Sequence, residues 1–269
     1  MPNLDRMTSM GWPASIGRDL YIARQLARWG VPLFLARPDL DPSGQWRPTG
    51  GHGKTGYWLP KRWQLTVPDP AVVDKRRPEM ALCAVMGTVV DVLDSDPRNR
   101  GDATRQELMD TGLWPTIWWQ ASTPSGGLHD FVAVMGVRSL DSVLPGLDVK
   151  AGNDGRGHGF AFIAPTVRAS KTTGELKAYT WIIPPITVPV TVDPTVRAMA
   201  ELVKASHTIL KNNQKSVAVS ILRDRLQALP DEEPCDKMQA QAIRAAKALT
   251  RNRHQATLGA GHAARQARS

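Results

Sequence analysis

The pattern of apolar and polar positions changes character along the chain. Apolar residues recur at helical spacing in residues 15–29, and an apolar run at residues 31–36 then predicts a buried strand. Further short helices are expected at residues 68–77 and 102–111. Later runs of apolar and β-branched residues predict strands at residues 81–86, 88–93, 116–121, 128–134, 147–150, 159–164 and 178–183. Strands outnumber helices and short turns join several of them, so we expect an α+β fold in which a mixed β-sheet carries flanking helices.

The aromatic residues divide the chain in two. Every Trp, Tyr and Phe lies at or before Trp181, and a Pro-rich segment follows at residues 182–190. The remaining sequence is rich in Ala, Leu, Arg and Lys, with the spacing of three helices. We therefore predict one domain at residues 1–190 and a small, basic, all-α domain at residues 191–269.

Two acids stand at the end of the strand predicted at residues 88–93. In an extended chain Asp94 and Asp96 share a face, about 7 Å apart at their Cα atoms. Two carboxylates so placed repel each other unless a cation lies between them, and a divalent metal ion is the usual one. The sequence Asp-Ser-Asp-Pro is also typical of a solvated turn, and this segment by itself favours neither interpretation. Asp91, three residues before Asp94, should face the other way and have a structural role.

Two later segments contain residues that would complete such a site. The sequence STPSGGLHDF at residues 122–131 places Ser125, Gly126 and Gly127 in a turn just before His129. Backbone amides at glycines can approach phosphate oxygens closely. Further on, Asp148 lies between two apolar residues of a short predicted strand, where a buried carboxylate needs a partner.

An Asp-x-Asp pair, a Ser-Gly-Gly-x-His turn and a single Asp, in this order, resemble the catalytic core of the bifunctional primase/polymerases (prim-pol domains) of phage and plasmid replication proteins. These belong to the archaeo-eukaryotic primase superfamily, and the resemblance covers residues 30–181. It implies a DNA-dependent primase/polymerase that adds nucleotides to a strand on a single-stranded DNA template. It also implies that Asp94, Asp96 and Asp148 hold two Mg²⁺ or Mn²⁺ ions for phosphoryl transfer. The Ser and His of the motif, here Ser125 and His129, would contact the triphosphate.

Two basic residues are further candidates for phosphate contact. Lys54 belongs to a Gly-rich loop, and in prim-pol relatives a Lys in a similar early loop lies near the active site. The Gly-Lys-Thr there is not a nucleotide-binding P-loop, because position 48 is Pro where that motif needs Gly. Arg156, in the Gly-rich residues 152–160, is a candidate contact for phosphate or template. The alternative for both residues is a solvated surface loop.

Charge and composition narrow the class of partner. The formal net charge of +9 favours a polyanion, and much of this charge lies beyond residue 190. The only cysteines are Cys83 and Cys235, so a disulfide framework and a Cys-rich zinc site are excluded and we expect no zinc. No secretory signal or membrane-spanning apolar run is present, so we expect a cytoplasmic protein that does not bind a membrane. The partners that the resemblance implies are a single-stranded DNA template, a primer strand and dNTP or NTP. Longer relatives continue into a helicase, and no nucleotide-binding P-loop occurs in these 269 residues, so the resemblance leaves open whether a helicase region follows residue 269.

Two other functions are compatible with the sequence. A metal-dependent nuclease or phosphodiesterase would use an acid cluster equally well, although the pattern lacks the additional His or Glu that commonly activates water. A non-catalytic protein that binds DNA at a replication origin would need only the fold and the positive charge. An assay with labelled DNA would distinguish the three functions. A polymerase lengthens the strand, a nuclease shortens it, and a binding protein only retards its migration.

Overall fold

The computed structural model describes residues 16–153, 158–189 and 193–212. Its helices are α1 (Ile16–Arg28), α2 (Ala71–Asp74), α3 (Gly101–Asp110) and α4 (Pro194–Asn212). Its strands are β1 (Leu33–Pro38), β2 (Tyr57–Trp58), β3 (Ala81–Val85), β4 (Val90–Ser95), β5 (Trp119–Ser122), β6 (Leu128–Ala133), β7 (Leu140–Leu144), β8 (Leu147–Lys150), β9 (Phe160–Phe162), β10 (Val167–Ala169), β11 (Leu176–Ala178) and β12 (Thr180–Ile183). Helices and strands are therefore both present, which confirms the α+β prediction.

The strands form three sheets. A six-stranded sheet has the order β12-β5-β6-β4-β8-β7, a four-stranded sheet has the order β2-β1-β3-β9, and β10 pairs with β11. Every strand pairing in these described sheets is antiparallel. This differs from the mixed sheet that we predicted. Short connections such as residues 123–127 and 145–146 can join only antiparallel neighbours, whereas parallel neighbours need a crossover of about a dozen residues or more.

The two faces of the six-stranded sheet pack against different partners. Val90 and Val92 of β4 share a core with α1, which contributes Ile22 and Leu26. Alternation along the strand turns Leu93 to the opposite face. That face packs against α3 and α4, whose buried residues include Leu108, Met199 and Val203. Asp94, like Val92, therefore belongs to the face of α1 and not to the face of α3 and α4.

Helix α4 packs on the sheet although it begins after the boundary that we predicted near residue 190. Its residues Met199, Ala200 and Val203 are almost fully buried against the six-stranded sheet. The second and third helices predicted for the basic domain lie outside the described residues. The small all-α domain therefore stays a prediction. Within residues 16–153, 158–189 and 193–212, no helix is both long and apolar enough to cross a membrane.

Candidate active site

Strand β4 places Asp94 in the middle of the six-stranded sheet. Asp94 lies opposite His129 in the register with β6, and opposite Asp148 in the register with β8. Residues directly opposite each other on antiparallel strands point to the same face of the sheet. The side chains of Asp148, Asp94 and His129 therefore form a row across one face.

The Asp94 carboxylate faces a nearly buried imidazole. Nε2 of His129 lies 3.6 Å from Oδ2 of Asp94, and the two side chains are 5% and 26% exposed. Burial alone would raise the pKa of Asp94, but the imidazole and then two lysine ammonium groups outweigh it, so that the pKa lies below its usual value. These lysines are Lys150 and Lys171. Asp94 is thus ionised at neutral pH.

Asp94 and His129 line a cavity between the end of β4 and the β10–β11 hairpin. Of the residues predicted for the site, Asp94, Asp96, Ser125 and His129 line this cavity. Its walls also contain seven residues that we did not predict as site residues, among them Arg98, Arg168, Lys171 and Tyr179. The cavity therefore combines carboxylates, cations and hydroxyl groups.

Asp96 reaches the cavity from just beyond the end of β4. It precedes the 3₁₀ turn Pro97–Asn99, and its Oδ1 accepts a hydrogen bond from the backbone amide of Arg98 at 3.1 Å. The guanidinium of Arg98 also pairs with both carboxylate oxygens of Asp96, and the Asn99 amide group donates to Oδ2. Asp96 is thus neutralised by Arg98, a residue of its own turn.

Asp148 is held on the other side of Asp94 by a lysine and a backbone amide. Its Oδ1 accepts a hydrogen bond from Ser142 N at 2.7 Å, and its Oδ2 lies 3.1 Å from Lys150 Nζ. The same ammonium lies 2.6 Å from Asp141 Oδ1. Burial would lower the pKa of Lys150, but Asp148, Asp141 and Asp94 outweigh it and raise the pKa. Lys150 lies two residues after Asp148 in β8 and so shares its face, a signal that the sequence contained.

The glycine turn is shaped by close packing. A Cβ atom at Gly127 would lie 2.4 Å from the carbonyl oxygen of Ser95, so only glycine fits there, and Gly126 has φ +84°. The Gly126 amide donates to the carbonyl oxygen of Thr123, and the Gly127 amide donates to the Thr123 hydroxyl. Both amides that we expected near a triphosphate are therefore used inside the turn in this structure. Gly127 thus brings the turn against β4, and Ser125 of this turn lines the cavity.

Two cations of the cavity come from the β10–β11 hairpin and its loop. Arg168 lies in β10, and Lys171 follows the strand. The Lys171 amide donates to Ser125 Oγ at 2.9 Å, which ties the hairpin to the glycine turn. Tyr179 lies behind them, with its ring centroid 5.3 Å from that of His129. Sequence reasoning missed the cations because a three-residue strand shows no periodicity, although two basic residues three apart in a turn-rich segment were visible.

The remaining predicted residues lie elsewhere. Lys54 ends the 3₁₀ turn His52–Lys54 with φ 56° and does not line the cavity, but the carbonyl oxygen of the next residue, Thr55, accepts a hydrogen bond from Arg168. Arg156 lies outside the described residues. Both assignments stay predictions.

The opposite face of the sheet carries two buried acids. Asp130 follows His129 and is fully buried, with Oδ2 2.6 Å from Arg105 Nε and Oδ1 2.6 Å from Gln120 Nε2. Asp91 is also fully buried, and its Oδ2 accepts a hydrogen bond from Met135 N. Neither acid lines the cavity, so they act on the site only through the strands that they hold.

The carboxylate oxygens of this site are suitable ligands for a divalent metal ion, provided that two of the acids release their present partners. Carboxylate oxygens are what Mg²⁺ and Mn²⁺ prefer, and Asp94 presents an ionised, partly exposed carboxylate to the cavity. Asp96 and Asp148 are paired with Arg98 and Lys150, so either acid would have to leave its cation in order to bind a metal. Among the residues that the structure describes, no three His, Cys, Asp or Glu side chains are already arranged to hold a metal ion.

The fold and the cavity define an α+β protein with an acidic row facing a cationic hairpin. Comparison with models of known protein families and with curated proteins gives no match to this chain. The function must therefore be argued from the site itself.

Proposed function

We propose that the protein is a DNA-dependent primase/polymerase, with a prim-pol type core and a small basic helical domain after it. The observation that supports this most is the row of Asp148, Asp94 and His129 across one sheet face, of which Asp94 and His129 line a cavity with a cationic far wall. A reaction on a nucleoside triphosphate needs both features, because the acids position metal ions and the cations attract the phosphates. Such a protein would act on single-stranded DNA in the cytoplasm.

In the proposed reaction, the 3′-hydroxyl of a primer attacks the α-phosphate of a nucleotide and pyrophosphate leaves. Asp94 would hold Mg²⁺ or Mn²⁺, and Asp96 and Asp148 would complete the set after Arg98 and Lys150 move away. When bound, these ions would supply Lewis-acid stabilisation of the negative charge on the phosphate.

His129 and Ser125 would position the triphosphate. His129 is fixed between the Tyr179 ring and Asp94, so its imidazole can donate a hydrogen bond in one direction. The Ser125 hydroxyl already accepts from Lys171 N and keeps its own hydrogen for a phosphate oxygen. Ser125 would therefore bind phosphate without rearranging, whereas His129 would have to turn its Nε2 from Asp94 to the phosphate, because its Nδ1 is buried.

The experiment is strand extension on a primed single-stranded template with labelled nucleotides and Mn²⁺ or Mg²⁺. The full chain should lengthen the primer, and EDTA should stop the reaction. Asp94→Asn keeps the size of the side chain and should reduce extension by about 100-fold or more, because a metal contributes several kcal/mol to the transition state. Asp110→Asn is the matched control, since Asp110 is exposed on α3 and does not line the cavity.

Each product pattern decides between functions. Lengthening that requires Asp94 supports the proposal. Shortening of the labelled strand would instead establish a nuclease, and retardation of DNA without any change in strand length would establish a binding protein. Extension that is unaffected by Asp94→Asn would overturn the assignment of the site.

A further inference from the structure

The two walls of the cavity carry opposite charge. Asp94 and Asp96 lie on the wall formed by β4, and Arg168 and Lys171 lie on the wall formed by the hairpin. The third cation, Arg98, lies beside β4 and pairs with Asp96 in this structure. The hairpin cations make no ion pair with any carboxylate in the part of the chain that the structure describes. A ligand with phosphate groups on one side would match this division of charge.

Arg168 is held in place before any ligand binds. Its Nε donates to the carbonyl oxygen of Thr55 at 3.1 Å, and its Nη1 lies 3.4 Å from the Tyr179 hydroxyl. The guanidinium carbon lies 4.9 Å from the centroid of the Phe162 ring, a cation–π contact. These contacts come from three separate segments and fix the plane of the guanidinium. Nη2 of Arg168 makes no hydrogen bond to any described residue, so this group can donate to a ligand in the cavity.

Lys171 adds a second, more adaptable cation. Its side chain is exposed, while its backbone amide is tied to Ser125 Oγ. The position of the residue is thus fixed relative to the glycine turn, although the ammonium can move. The glycine amides donate within their own turn, so the hairpin is the main source of positive donors on this side of the cavity.

We propose that Arg168 and Lys171 bind the terminal phosphates of the incoming nucleoside triphosphate, with Arg168 as the preformed contact and Lys171 as the adaptable one. That the ligand is a nucleotide rests on the proposed function. The binding of a polyphosphate as such rests only on the two cations and their setting.

The test measures binding of inorganic tripolyphosphate to the full chain by calorimetry, with Mg²⁺ present and at several salt concentrations. Charge-assisted hydrogen bonds to a rigid guanidinium are strong, so Arg168→Gln should weaken binding by about 10- to 100-fold. Lys171→Gln should weaken it by only about 2- to 5-fold, because the ammonium is exposed. Both losses should shrink as salt rises.

Lys177→Gln is the matched control. Lys177 lies opposite Arg168 in the hairpin register, carries the same charge and pairs with Glu175, but it does not line the cavity. Its substitution should leave the dissociation constant unchanged within about 2-fold. An equal effect of Lys177→Gln and Arg168→Gln would overturn the proposal, because it would show only attraction by the overall charge.

The outcome is separable from that of the proposed function. If tripolyphosphate binding depends on Arg168 but primers are never extended, the phosphate site is supported and the polymerase function is refuted. If primers are extended and Arg168→Gln changes neither the KM for nucleotides nor tripolyphosphate binding, the polymerase stands and this inference fails. Should Arg168→Gln not fold, Arg168→Lys and Lys171→Gln decide the matter, and unchanged binding in both refutes the inference.

Discussion

Replacing Asp91 by Asn should remove a pH dependence of stability that is built into β4. Asp91 is fully buried, and burial raises the pKa of its carboxyl group to about 8 from an ordinary value of 3.8. Its Oδ2 accepts one hydrogen bond, from Met135 N at 2.7 Å, and its Oδ1 has no partner within the described structure. Asn keeps an acceptor for Met135 N but cannot ionise.

The sign and size of the effect follow from the two pKa values. Between about pH 4 and pH 8 the unfolded chain has released the Asp91 proton, whereas the folded chain keeps it. The free energy of unfolding therefore falls as the pH rises through this window. One proton contributes about 1.4 kcal/mol per pH unit, so Asp91 should lower the free energy of unfolding by several kcal/mol across the window, about 6 at most.

The assay is urea unfolding of the wild type and Asp91→Asn at intervals from about pH 5 to about pH 9. The readout is the slope of the free energy of unfolding against pH, compared between the two proteins. A pH-independent change in stability caused by the new amide group does not affect this slope. The wild type should lose stability with rising pH relative to the variant, and the two curves should become parallel above about pH 8. Asp110→Asn, at an exposed position, should keep the wild-type slope.

A single result would refute this reasoning. If Asp91→Asn shows the same slope as the wild type throughout the window, the buried carboxyl group does not hold its proton in the folded state. Asp91 would then be an ionised group with a compensating charge or water.

Two further predictions concern the elements that hold the site. Gly127→Ala should lower the free energy of unfolding by about 1–3 kcal/mol, because the new Cβ would lie 2.4 Å from the Ser95 carbonyl oxygen and the turn must move. Asp130→Ala should lower it by about 3–5 kcal/mol, because it leaves the mostly buried Arg105 guanidinium without its carboxylate. Thermal or urea unfolding measures both.

Each of these has a control on the chain. Gly126→Ala meets no atom within 4 Å but has a positive φ, so it measures the backbone cost alone. Wild-type stability of Gly127→Ala would contradict the close packing of the turn against β4. For Asp130, the double variant with Arg105→Ala should be more stable than Asp130→Ala, since the unpaired charge is gone. If the double variant is less stable than Asp130→Ala, the loss of stability comes from lost packing and not from the unpaired charge.

The local elements could be predicted from the sequence because their signals are local. Apolar spacing in residues 15–29 indicates α1, and the β-branched run before Asp94 indicates β4. Side-chain alternation along one strand also assigns Asp91 and Asp94 to opposite faces, as in the structure. The short strands β7, β10 and β11 were not predicted, because runs of three to five residues with little burial carry no such signal.

Only the tertiary structure decided how these pieces meet. The register of three strands places His129 and Asp148 opposite Asp94, and the periodicity of each strand says nothing about its register with another. The same holds for the pairing of strands that are distant in the chain, such as β4 with β8, since no short connection fixes their relative direction. Alternation along β8 places Lys150 on the same face as Asp148, but whether Lys150 or a metal ion neutralises Asp148 depends on distances of a few ångströms. Arg168 and Lys171 reach the cavity because the hairpin folds back on the glycine turn, a contact between segments 46 residues apart that no local pattern encodes.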